Sequence, residues 1–174
     1  PPSLIKAIHC FILVCAARRA RGQVGVHNSM LVHVTRFVSV QGLVTALVKD
    51  EVLRLRKRIQ YGDGSRKVQV RDELRAMWKT EFEAKDPIIR KAAPEDAGAS
   101  LTWAQVDAAL LDAASMVEVK EINGSASDAL DYVNYPNGSS VIAVGGDKLS
   151  RGLTMEGLSI SYFLRTSRMY DTLM

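Results

Sequence analysis

Ser140-Val141-Ile142-Ala143-Val144-Gly145-Gly146-Asp147-Lys148-Leu149-Ser150-Arg151-Gly152-Leu153-Thr154 decides the fold of this chain. Its opening is a β-branched, apolar run, the pattern of a strand buried on both faces. Two glycines then remove every side chain where the strand ends, so backbone N–H groups are free to approach a ligand. Lys148 and Arg151 follow within one short turn that Gly152 breaks. A second strand, Leu158-Ser159-Ile160-Ser161-Tyr162-Phe163-Leu164, comes next, and the two are expected to adjoin in one sheet. In an open α/β sheet, ligands are held just beyond the carboxyl ends of the strands, and a phosphate suits such a loop. The competing reading is a tight turn flanked by solvated cations.

The same residues carry a family resemblance. The strand leading to a basic Arg-Gly turn is similar to motif V in the second RecA-like lobe of superfamily-two helicases. Met169-Tyr170-Asp171-Thr172-Leu173-Met174 looks like the approach to motif VI. Gly-Gly-Asp-Lys-Leu-Ser-Arg-Gly-Leu-Thr-Met-Glu-Gly and Ser-Tyr-Phe-Leu-Arg resemble the helicase-like "Z-one" domain of proteins described as endonucleases in bacterial restriction or defence systems. His27-Asn28-Ser29-Met30-Leu31-Val32-His33-Val34-Thr35-Arg36-Phe37 looks like that family's motif IV region. The resemblance covers most of the chain and is specific at both ends.

It implies the second lobe of a DNA-dependent ATPase or translocase. Thr35, Arg36, Gly145, Gly146, Lys148 and Arg151 would grip the nucleic-acid backbone, with DNA and the first RecA-like lobe of the same parent chain as partners. Gly152 and Thr154 would face the nucleotide, and Arg165 and Arg168 are candidates for the same cleft or for solvated surface. Two departures weaken the nucleotide part. Gly146-Asp147 replaces the usual Thr-Asp, and Thr154 stands where a ribose-binding Asp is usual; a hydroxyl offers no carboxylate. No Gly-x-x-x-x-Gly-Lys-Ser/Thr loop occurs in the sequence. Phosphoryl transfer needs a phosphate cradle, a metal and an arginine together. No catalytic residue is therefore assigned here, and ATP and Mg belong to the complete protein, of which this chain is expected to be a piece.

Composition sets outer bounds. The 174 residues suffice for one core with a small appended part, and 47% hydrophobic content is ordinary for a globular domain. A net charge of +4 permits nucleic-acid binding without requiring it. Two cysteines, Cys10 and Cys15, are too few for a disulfide scaffold and fit a reduced, cytoplasmic setting. The apolar run Ile8–Ala17 is shorter than the ~20 residues that cross a bilayer, so it reads as a buried helix rather than a membrane segment. Arg18, Arg19 and Arg21 stand where a secretory signal would need its cleavage site.

Along the chain, a first helix is expected from a Ser3 cap to about Arg21, stopping at Gly22. Met30–Val34 reads as a short strand with Thr35-Arg36 at its carboxyl end. A long helix then runs from a Ser39 or Thr35 cap to about Tyr61. Val40, Leu43, Val44, Leu47, Val48, Val52, Leu55 and Ile59 recur on it at helical spacing. Its cations, Arg54, Arg56, Lys57 and Arg58 among them, suit either a solvated face or a nucleic-acid contact. After the Gly62-Asp63-Gly64-Ser65 break, residues of about 62–115 read as a helical insertion, because one helix suffices between parallel strands. Ser100 or Thr102 caps its last helix. Met116–Ile122 alternates as a strand, Asn123-Gly124-Ser125 turns, Asp128-Ala129-Leu130 begins a short helix, and Pro136-Asn137-Gly138 resets the chain. The expected fold is α/β, with a mostly parallel RecA-like sheet, flanking helices and that insertion, over residues 1–174.

Two other chemistries are open. Glu118-Val119-Lys120 on a strand, with Asp112 upstream, fits the outline of a metal-dependent nuclease half-site, which needs two acids for Mg and a lysine to orient water. The same residues equally make a solvent face with a salt bridge. Cys10 and Cys15 with His9 or His27 match no common zinc spacing and read as core packing. His27 and His33, without an evident acidic partner, read as structural. A non-catalytic interaction module on a helicase-like fold is the remaining reading.

Overall fold

The structure, a computed structural model, describes residues 1–35, 37–95, 98–122, 135, 138–146 and 155–164. At its centre is a four-stranded, all-parallel sheet of β1 (Asn28–His33), β2 (Val117–Ile122), β3 (Ser140–Gly145) and β4 (Leu158–Phe163) in the order β2-β3-β1-β4. β3 is interior, and Val141, Ile142, Ala143 and Val144 are all at most 1% exposed, as an apolar run without alternation demands. β4 does not adjoin β3. Both pair with β1, one on each of its edges. The reason is legible in β4 itself: Ser159 and Ser161 alternate with Ile160 and Tyr162, a pattern suited to an outer strand with one solvated face.

Alternation sorts the sheet onto two sides. Met30, Val32, Ile142 and Val144 join the main core, with Ile160 and Tyr162 packed against it. Ile122, Val141 and Ala143 form a smaller cluster on the other side, with Leu31 and Met155.

The main core is roofed by helices. α1 (Pro2–Ala20) buries Ile8, Phe11, Ile12, Leu13, Cys15 and Ala16, too wide an arc for one stripe, so it is an interior helix. Burying a side chain such as Phe11 contributes about 2 kcal/mol. Ser3 is not its cap. Pro1 holds that position, and the Ser3 hydroxyl instead lies 2.7 Å from the Tyr162 hydroxyl. Proline in the first turn forgoes an N–H that would have gone unpaired, which removes the need for a side-chain cap.

Between β1 and β2 run α2 (Val38–Tyr61), α3 (Val70–Trp78), a π-helical turn (Lys79–Glu83), α4 (Asp86–Ala92) and α5 (Trp103–Ser115). α2 begins at Phe37 without a side-chain cap and ends at Gly62, whose φ of 77° few other residues tolerate. Its buried face differs from the expected one. Gln41, Thr45, Val48, Val52, Leu55 and Ile59 point inward, whereas Val40, Leu43 and Leu47 are exposed. The polar pair is accommodated locally: Thr45 donates to the Gln41 carbonyl at 2.8 Å and Gln41 to the Thr35 carbonyl at 3.0 Å. α5 starts at Thr102 in a reciprocal capping box with Gln105. Among the described residues no helix is long and apolar enough to cross a membrane.

Candidate nucleic-acid interface

The carboxyl edge of the sheet gathers the ends of all four strands. His33 stands level with Gly145 on one side and with Phe163 on the other, and Ile122 is level with Gly145. One more bond extends each ladder: Val34 N–H donates to the Gly145 carbonyl at 2.8 Å, and Leu164 N–H to the His33 carbonyl at 2.9 Å. The His33 ring is buried and packs 5.4 Å from the Phe163 ring. Thr35 therefore leaves β1 directly beside the point where Gly146 leaves β3, and the two loops share one rim.

Thr35 is half-buried, and its Oγ1 accepts weakly from the Phe37 N–H at 3.4 Å. Gly145 and Gly146 are both buried. The backbone beside them is used in the sheet, so side chains at this rim have more contact surface to offer than the glycine amides. Arg36, Lys148, Arg151, Gly152, Thr154, Arg165 and Arg168 lie outside the described residues. So do the Asn123-Gly124-Ser125 turn and the Asp128-Ala129-Leu130 helix start.

Part of the helical stripe expected to be buried on α2 is exposed: Leu43 is 63% exposed and Leu47 58%, and Phe37, at the start of the helix, is 59% exposed. The available signal was numerical: α2 carries more apolar residues than one buried stripe can use.

The nuclease arrangement is not assembled. Asp112 lies on α5 with its carboxylate 3.8 Å from Arg19, whereas Glu118 pairs with Lys120 at 3.6 Å. Lys120 also sits over the Tyr135 ring. Among the described residues no group of three His, Cys, Asp or Glu side chains is placed to hold a metal. The cysteines behave as core residues. Burial pushes the Cys15 thiol up to about 11, against the pull of its neighbours Ser140 and Asn28, and also raises Cys10. A thiol held protonated is a poor nucleophile and a poor metal ligand.

The opposite, amino edge is a polar lock that no sequence motif signals. Asn28, 3% exposed, donates to Cys15 Sγ at 3.0 Å and accepts from Arg18 at 3.2 Å and Ser159 at 2.9 Å. Arg18 also donates to the His27 carbonyl at 2.9 Å, and Ser29 to the Glu156 carbonyl at 2.8 Å. His27 does have an acidic neighbour, Glu156 at 3.8 Å, supplied by the loop before β4 and so far off in sequence. Its Nδ1 lies 3.1 Å from the Ser139 hydroxyl. His9 likewise meets Glu51 at 3.1 Å, both nearly buried, tying α1 to α2.

Among protein families, the profile described as the Z1 domain matches residues 3–174. Neither the curated proteins nor the solved structures contain a match.

Proposed function

The chain belongs to the Z1 domain family, and on that premise we propose that it grips a nucleic-acid backbone, DNA by preference, at the carboxyl edge of its sheet. The observation that carries this reading is the shared rim: Thr35 and Gly146 emerge from neighbouring parallel strands, at the edge where open α/β sheets hold their ligands. Arg36, Lys148 and Arg151 belong to the two chain segments leaving that rim, and they supply the cations that position a phosphate. In this reading the domain is the second RecA-like lobe of a DNA-dependent ATPase or translocase in a restriction or defence protein, and it works against a first lobe.

Gly152 and Thr154 lie outside the described residues, among which no group of three His, Cys, Asp or Glu side chains is placed to hold a cation. Nucleotide chemistry is assigned to the complete protein, and no step of it to this chain.

Fluorescence anisotropy of labelled DNA against the 174-residue chain tests the reading. The double substitution Lys148→Ala/Arg151→Ala is expected to weaken binding at least about tenfold. It should also make the slope of log affinity against log salt shallower by about 1.8. Unchanged affinity and slope would overturn it.

A second reading is favoured by a specific observation: Gly145 and Gly146 are buried while Phe37, Leu43 and Leu47 are exposed. A non-catalytic interaction module would use that apolar strip and leave DNA affinity indifferent to Lys148 and Arg151.

A further inference from the structure

A large cleft lies in the helical layer, away from the carboxyl edge of the sheet. It opens between the end of α1, α3, the π-helical turn, α4 and the start of α5, and measures about 920 Å3. That is the size range of sites that take drug-sized or cofactor-sized ligands. The chain has two tryptophans, Trp78 and Trp103, and both line it. Trp78 is stacked on Phe82, with ring centroids 4.8 Å apart and planes 14° from parallel. Phe82 lies within the π-helical turn, an irregularity that often accompanies binding sites.

The charges of the cleft are unevenly spent. Glu81 is held by Lys6 and Lys85, each at 2.6 Å, which bring its carboxyl down to about 2. Asp86 is taken by Arg90 at 2.5 Å. Arg21 and Arg75 also line the cleft, are exposed, and make no ion pair among the described residues, although Arg21 lies near enough to help hold the Asp86 carboxyl below its usual range. Glu83 is the lining carboxylate without an ion pair among the described residues.

We propose that this cleft is a binding site for a planar aromatic anion, its ring laid along the half-buried Phe82 and Trp103, with the buried Trp78 stacked on Phe82, and its acidic group held by Arg21 and Arg75. Stacked aromatic faces favour a flat apolar ring, and guanidinium groups favour carboxylate, sulfonate or phosphate oxygens. The combination selects a ligand with both parts over one with either alone. The site is separate from the DNA-gripping rim and does not depend on it.

The test uses 8-anilinonaphthalene-1-sulfonate and its uncharged counterpart N-phenyl-1-naphthylamine on the 174-residue chain, with tryptophan emission as the readout. Since both tryptophans lie on this cleft, the sulfonate is expected to quench them saturably at one equivalent. It should bind about tenfold tighter than the neutral dye. Arg21→Ala and Arg75→Ala should each remove most of that preference and leave the neutral dye unaffected, whereas Arg56→Ala on α2 should change nothing. Both cleft arginines are exposed, so the variants keep the fold, which far-UV circular dichroism checks. Equal binding of the two dyes, several equivalents bound, or sulfonate binding indifferent to both arginines would overturn the proposal. DNA affinity is expected to be the same in the Arg21 and Arg75 variants as in the unaltered chain.

Discussion

The two edges of this sheet are built from different materials. At the amino edge, strand starts are clamped by buried and half-buried side-chain hydrogen bonds from Asn28, Ser29, Ser159 and Arg18. Two glycines there are locked against neighbouring backbone. A Cβ on Gly157 would lie 2.0 Å from the His27 carbonyl oxygen, and one on Gly138 2.7 Å from that of Val26. At the carboxyl edge the ladders close with backbone bonds to Gly145 and His33, Gln41 donates to the Thr35 carbonyl, and Phe37 is exposed. Partnered buried polar groups fix a structure, whereas half-used and exposed groups leave contacts for something else. One edge is tied by more side-chain hydrogen bonds, and the other carries the more exposed apolar groups.

Substitutions at the two edges should therefore separate stability from binding. The largest effect is expected from Gly157→Ala. Its φ of 64° and the 2.0 Å approach leave a methyl group no place, so unfolding in urea should show a loss of about 3 kcal/mol or more. A loss below about 1 kcal/mol would mean that β4 shifts freely along β1, and the amino edge would not be a clamp. Asn28→Ala comes next. It leaves the buried Cys15 and the half-buried Arg18 short of a bond, and Ser159 short of one nearer the surface, so about 2 kcal/mol should disappear in the same assay. Smallest in stability is Thr35→Val at the other edge, within about 0.5 kcal/mol of the unaltered chain. Its consequence is expected in anisotropy instead, as DNA affinity about threefold to tenfold weaker. If Thr35→Val were the destabilising change and Asn28→Ala the silent one, the contrast between the edges would be reversed.

Much of this was legible from local pattern. Val141–Val144 announced an interior strand because four consecutive apolar, mostly β-branched residues have no other economical place. Ile8–Ala17 announced a buried helix for the same reason. Thr102 with Gln105 announced a helix start, because the capping box is closed within four residues. Less legible was the choice among equally apolar positions on α2. Val40, Leu43 and Leu47 fit a helical stripe as well as Val48, Val52 and Leu55 do, and only the neighbours of the helix decide which stripe is covered. The places of Thr35, Gly145 and Gly146 where β1 and β3 end were legible, whereas their burial was not, because exposure depends on what packs above a residue.

What the sequence determined by itself is the set of elements and their class: parallel strands, an interior helix, a helical stretch between the first two strands, and glycines where β3 ends. These follow from side-chain period, β-branching and chain-end chemistry, all of which act within a few residues. Tertiary structure decided the rest. It put β1 between β3 and β4, brought Glu156 to His27 and Glu51 to His9, and left Arg21 and Arg75 beside both tryptophans. Such pairings join residues tens of positions apart, and they are settled by which surfaces bury the most apolar area together, a quantity that no local window of the chain contains.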